Sequence, residues 1–82
     1  MNVSVRFSAP LAQLVGTPRL GVTLAEGATV ADLIDHLSAR YPQLARRLSL
    51  SVAVAGGRTV PNTEPLVGGE EVAFLMPVAG GC

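Results

Sequence analysis

The sequence predicts a small α+β domain, a single amphipathic helix laid on one face of a short-stranded sheet. Three observations predict it. Segments of alternating polar and apolar residues lie at both ends of the chain. One long helical stripe sits between them. There is no internal repeat or linker to suggest a second domain. A small mixed sheet with one main helix on one face satisfies that order, because each element has one apolar face to bury.

Each element follows from its residues. Asn2 to Phe7 places Val3, Val5 and Phe7 on one side and Asn2, Ser4 and Arg6 on the other, the period-two pattern of a half-buried strand. Ser8 is a candidate cap for a short helix over Ala9–Val15, with Pro10 tolerated in its first turn. Gly16 ends that helix and Thr17-Pro18 keeps it ended. A second strand is predicted from Arg19 to Ala25, with Leu20, Val22 and Leu24 in alternation, and Glu26-Gly27 is a turn.

Thr29 with Asp32 three residues on gives the signature of a capping box. Val30, Leu33, Ile34, Leu37 and Tyr41 then repeat at helical spacing, so one stripe faces a core. Pro42 interrupts, and Gln43 to Leu48 is expected to add a further turn or two. Ser51 to Ala55 reads as a strand, Gly56-Gly57 as a two-residue hairpin turn and Arg58 to Val60 as the return. Pro61 to Pro65 is irregular, Gly68-Gly69 is a turn, and Glu71 to Met76 is the final strand, stopped by Pro77. Residues 1–76 are thus predicted to be the folded domain and 77–82 a flexible tail. Periodicity does not order the strands within the sheet.

Composition excludes several functions. With 82 residues, about 60–65% of the unfolded surface is buried on folding, which leaves little room for an enzyme-type cleft. The apolar share is 49%, mostly Val, Leu and Ala. Six arginines balance six acids and there is no lysine, so net charge provides no warrant for binding nucleic acid or an anionic membrane surface. The one cysteine cannot form an internal disulfide, the first residues show no apolar signal-peptide core, and no run is long enough to span a membrane. A cytoplasmic setting is expected, with no membrane partner.

The chemistry is expected at the end. Pro77-Val78-Ala79-Gly80-Gly81-Cys82 has little to bury and reaches up to ~20 Å when extended. Glycines enter a narrow slot without side-chain clashes and adopt backbone angles closed to other residues. An acyl group at Gly81 suits delivery into another protein's active site. A frayed glycine-rich end is the plain alternative. Phe74, Leu75 and Met76 are all apolar although alternation sends Leu75 to the face opposite Phe74 and Met76. Either part of this segment, with Pro77, is an exposed docking patch beside the tail, or a loop such as Pro61 to Leu66 covers it. His36 lies four residues after Asp32 and reads as half of a surface pair, without companions for a metal site. Arg46-Arg47 reads as a solvated edge, with partner docking as the alternative. Cys82 has no nearby base, and its own carboxylate disfavours the thiolate, which argues against a catalytic thiol.

Val5-Arg6-Phe7-Ser8-Ala9 with Leu14-Val15-Gly16-Thr17, Thr29-Val30-Ala31-Asp32-Leu33, and Gly69-Glu70-Glu71-Val72-Ala73-Phe74 followed by Pro77-Val78-Ala79-Gly80-Gly81 occur in that order over essentially the whole chain. In this the sequence resembles the MoaD/ThiS family of ubiquitin-like sulfur carriers. The resemblance implies a β-grasp fold with the last strand central, and a carrier instead of an enzyme. It implies that an E1-like adenylyltransferase uses ATP to convert the Gly81 carboxylate to an acyl adenylate. A persulfide sulfur donor then leaves a Gly81 thiocarboxylate, which a sulfur-accepting synthase consumes. No cofactor would be held by the chain itself.

Two departures stand out. Ala55-Gly56 occupies the place of an Asn-Gly found at the hairpin of many members, and Cys82 follows the glycine that typically ends the chain. Some relatives with such extensions are trimmed by a JAMM-type metalloprotease, so the Gly81–Cys82 bond is the expected processing site. A ubiquitin-like modifier conjugated through Gly81 is the rival from another class.

Overall fold

The computed structural model describes residues 1–76. Its order is β1 (Asn2–Phe7), α1 (Ala9–Val15), β2 (Arg19–Thr23), α2 (Val30–Arg40), a 3₁₀ turn (Pro42–Leu44), α3 (Ala45–Leu50), β3 (Val52–Ala55), β4 (Arg58–Val60) and β5 (Glu71–Leu75). The strands form one mixed sheet in the order β2-β1-β5-β3-β4. β5 occupies the centre, parallel to β1 and antiparallel to β3. This is the β-grasp arrangement.

Alternation decides the core. Val3, Val5 and Phe7 of β1, Val22 of β2, Ala53 and Ala55 of β3, Val60 of β4, and Val72 and Phe74 of β5 all point to one face and are buried. Leu11, Val30, Leu33, Leu37, Leu44 and Leu48 close over them from the helices. The expectation of one covering helix was too spare. Pro42 ends α2, but the chain re-enters a 3₁₀ turn and then α3, so that Leu44 and Leu48 seal a region α2 does not reach. The return to helix is permitted because a proline in a first turn has no amide to lose.

Local signals set the boundaries. Thr29 Oγ1 accepts from the Asp32 amide (3.4 Å) while the Asp32 carboxylate accepts from the Thr29 amide (2.9 Å), so the capping box is complete. Gly16 caps α1 at φ +92°, and Gly56 and Gly57 hold φ +61° and +76°, the paired left-handed angles a two-residue hairpin turn requires. Ser8 precedes α1 but makes no capping bond through its side chain, contrary to expectation. β2 stops at Thr23, short of the Ala25 expected, because β1 has no residue beyond Met1 to pair with: the Leu24 amide donates to the Met1 carbonyl (2.9 Å) and the Leu24 carbonyl accepts from the Met1 amine (2.7 Å), and the edge ends there. β5 stops at Leu75, one residue before the predicted Met76.

The irregular loop after β4 runs to the start of α2. The Val30 and Ala31 amides donate to the Glu64 and Asn62 carbonyls (3.0 and 2.9 Å), and the Leu66 amide donates to Ala28 (2.8 Å). It therefore serves the helix start and leaves the second face of the sheet uncovered.

Two stability predictions follow from this arrangement. Phe74→Ala removes a fully buried ring and should cost about 3–5 kcal/mol. That is a large share of the roughly 4–12 kcal/mol that a domain of 82 residues has, at about 0.05–0.15 kcal/mol per residue. Leu75→Ala on the uncovered face should cost under about 1 kcal/mol by urea unfolding; equal losses would contradict the assignment of faces. Thr29→Ala and Asp32→Ala should each cost about 1 kcal/mol, and the double variant clearly less than their sum, because the two groups satisfy each other's donors.

Candidate functional site

The site is built around the end of the central strand. β5 is bonded on both edges, with Phe74 opposite Phe7 of β1 and Ala53 of β3. The Ser8 amide also donates to the Phe74 carbonyl (3.1 Å), extending the ladder to the last turn of the strand. Whatever follows Leu75 therefore departs from the middle of one end of the sheet. The site residues Pro77, Gly80, Gly81 and Cys82 lie outside the described residues.

Phe74, Leu75 and Met76 part company. Phe74 is fully buried under the helices, so it is a core residue and cannot touch a partner. Met76 is half-buried against the same core. Leu75 is 43% exposed on the uncovered face. The two readings left open by the sequence thus divide within the segment: burial for Phe74, by helix and not by the Pro61–Leu66 loop, and exposure for Leu75.

Register shows what surrounds Leu75. Val52 of β3 stands directly opposite it, and Ala73 stands opposite Val54 on one side and Arg6 on the other. Arg6 in turn faces Arg19 of β2. Val54 faces Thr59 on the outer strand. Leu75, Val52, Ala73 and Val54 are therefore an apolar strip on the bare sheet face, flanked by two arginines. The strip floors a shallow groove that includes Arg6, Ser8, Val54, Glu71, Ala73 and Leu75. The Ser8 Oγ is buried there with no hydrogen-bond partner.

Val52 and Val54 were legible as strand residues but not as site residues. Only the strand order places β3 beside β5, and no local pattern carries that order.

The remaining candidates are surface features. His36 is exposed, and the Asp32 carboxylate is engaged by the Thr29 amide, so the suggested Asp32–His36 pair does not form. Arg46 and Arg47 are exposed and border a hollow shared with Gln43, Leu50 and Met76. Among the described residues no three His, Cys, Asp or Glu side chains cluster to hold a metal. None of the described helices is long and apolar enough to cross a membrane.

Comparison with known proteins agrees with this geometry. A chain described as the molybdopterin synthase sulfur carrier subunit of Escherichia coli is 36% identical over 81 residues, covering 96% of this chain and 99% of that one. The small archaeal modifier protein 3 of Haloferax volcanii is 32% identical over 79 residues, covering 96% and 80%. The crystal structure of the modifier SAMP1 from the same organism superposes with a TM-score of 0.87 at 26% identity, covering 99% of this chain and all of that one. The model of the ThiS family matches residues 5–81, from the first strand through the second tail glycine. The chain belongs to the ThiS family, on a ubiquitin-like β-grasp fold.

Proposed function

We propose that this protein is a sulfur carrier whose cargo is bound at the Gly81 carbonyl. The observation that carries the reading is the extent of the family match: it runs through Gly80 and Gly81 and leaves Cys82 outside. The domain presents the end of its central strand beside an apolar strip, and the five residues from Met76 to Gly81 reach up to ~17 Å beyond it. Such a reach delivers a chain end into a partner's slot while the domain stays outside.

The chemistry needs a free carboxylate. An amide to Cys82 offers no oxygen nucleophile, so the Gly81–Cys82 bond is hydrolysed first, by a JAMM-type metalloprotease. The Gly81 carboxylate then attacks the α-phosphate of ATP on an E1-like adenylyltransferase, and pyrophosphate leaves. The anionic charge that protects a carboxylate from nucleophiles is thereby removed, and AMP becomes the leaving group. The terminal sulfur of a persulfide forms the new C–S bond as AMP departs. A second thiol cleaves the resulting S–S bond and releases the Gly81 thiocarboxylate, which a sulfur-accepting synthase consumes. Molybdopterin formation is the destination suggested by the bacterial relative's name; cysteine, methionine or sulfur-containing natural-product synthesis and thiazole formation for thiamine are the others. ATP belongs to the activating partner.

Conjugation of Gly81 to amines of other proteins is the second reading, favoured by the name of the archaeal modifier. Higher-mass species that react with an antibody to this chain, resist reducing agents and disappear on deletion of Gly81 would establish it.

Protein isolated from its native cell should weigh less than the encoded chain by one cysteine residue, and part of it should carry sulfur in place of one oxygen. Recovery of the full-length chain alone from cells with the pathway active would contradict trimming. Leu75→Asp should weaken binding to the adenylyltransferase about tenfold or more with little change in unfolding midpoint, because Leu75 is the most exposed residue of the strip and the one next to the tail. Unchanged binding would remove the sheet face from the interface.

A further inference from the structure

The net charge of zero conceals a division of charge along the strands. β1 and β5 run in parallel from Asn2 and Glu71 at one end to Phe7 and Leu75 at the other. Arg6 pairs in register with Ala73, two residues from the β5 terminus, and Arg19 stands opposite Arg6 at the start of β2. Arg46 and Arg47 border the hollow next to Met76. Four of the six arginines, Arg6, Arg19, Arg46 and Arg47, thus surround the end from which the tail leaves.

Five of the six carboxylates lie toward the opposite end. Glu70 and Glu71 sit at the start of β5, and Glu26 lies in the turn after β2, within 3.4 Å of the Met1 amine. Asp32 belongs to the first turn of α2, whose start is bridged to Pro65. Glu64 pairs with Arg58 (2.8 Å) beside the β3–β4 turn, where Ala55 faces Val72. Among the described residues no ion pair involves Arg6, Arg19, Arg46 or Arg47. Glu71, diagonal to Arg6 on the uncovered face, is the nearest carboxylate on that face in register.

Arg46 and Arg47, beside Met76, lie the whole length of β5, about 14 Å or more, from Glu71, which exceeds the Debye length of about 8 Å at physiological ionic strength. Arg6 is level with Ala73, two residues or ~7 Å along the strands from Glu71, so Glu71 offsets part of its charge, and a body approaching the tail end meets Arg46 and Arg47 with the far acids screened. The arginines also lie around apolar surface: Leu75 and Val52 on the sheet face, and Leu50, 60% exposed, on α3.

Resting on the carrier reading, we propose that these four arginines form a cationic collar that steers the domain onto an acidic protein surface around the slot that receives Gly81. The tail supplies the argument for a protein partner. Gly81 is at most ~17 Å from Met76, so when it occupies a buried slot the rim of that slot lies over the collar. Carboxylates on that rim raise the association rate and orient the domain tail-first. The acidic end of the domain is repelled from the same rim. A nucleic acid fits less well, because the arginines are divided between two faces with apolar side chains between them and do not line a groove.

The test is the association rate with the matched adenylyltransferase of the same cell, by stopped flow from about 20 to 500 mM salt, together with KM and kcat for ATP–pyrophosphate exchange. Chains end at Gly81. The paired variants Arg46→Glu with Arg47→Glu, and Arg6→Gln with Arg19→Gln, should each lower the association rate on the order of tenfold at low salt and raise KM with kcat unchanged. The difference should vanish at high salt. Arg58→Glu at the opposite end should associate like the wild type. All five arginines are exposed, and the glutamine pair guards against any helix-end penalty in the glutamate pair. Normal exchange with association indifferent to both pairs and to salt overturns the collar while sparing the carrier reading. Absence of exchange with the wild-type chain removes the carrier reading, and the collar with it. Collar-dependent binding to duplex DNA or anionic vesicles, with none to the enzyme, assigns the arginines to another class of macromolecule and also overturns the proposal.

Discussion

The structure depends on the pairing of β5 between β1 and β3. This strand is last to be made and central in place, so its ladder bonds close the sheet across the longest sequence separations in the chain. Without it, the β1–β2 hairpin and the β3–β4 hairpin are two separate ribbons, each too small to be stable alone. Its buried residues, Val72 and Phe74, are also the centre of the core under α2. The strand that leads into the tail is thus the one the fold holds most firmly. On the proposed carrier reading, a partner that takes hold of the chain beyond Met76 pulls on the strand that anchors the whole domain.

The two faces of this sheet divide the labour. One is sealed by α1, α2, α3 and the 3₁₀ turn, and every buried large side chain belongs to it. The other has no covering element among the described residues, so the apolar strip of Leu75, Val52, Ala73 and Val54 remains available beside the tail. An exposed strip of that kind is costly for a monomer and useful at an interface. On the proposed reading, its position at the end of β5, near Arg6 and Arg19, puts recognition and delivery at the same end of the molecule. The composition of the chain could not reveal this, because opposite charges at opposite ends sum to zero.

The legible and illegible parts of the fold separate on physical grounds. Val3, Val5 and Phe7 announce their strand by period, Thr29 and Asp32 announce the start of α2 by capping chemistry, and Gly56-Gly57 announces the hairpin by its backbone freedom. Each of these is local. The continuation of helix through Leu44 and Leu48 was underestimated, because its stability comes from burial against the core and not from Gln43, Arg46 or Arg47. The neighbours of Leu75 were not accessible at all, since the choice of β3 as partner is made by tertiary packing. Likewise the shared apolar character of Phe74 and Leu75 concealed opposite fates, set by which face the helices cover. The expectation of chemistry at Gly80-Gly81 rests on their order with the other segments, since two glycines near a chain end mean little alone, and these residues lie outside the described ones.

The central claim is that the acyl group of Gly81 is what the protein carries. ATP–pyrophosphate exchange on the matched adenylyltransferase, comparing a chain ending at Gly81 with the chain that retains Cys82, tests it most directly. Exchange is expected with the first chain and none with the second. Equal exchange with both, or none with the shorter chain, would contradict it.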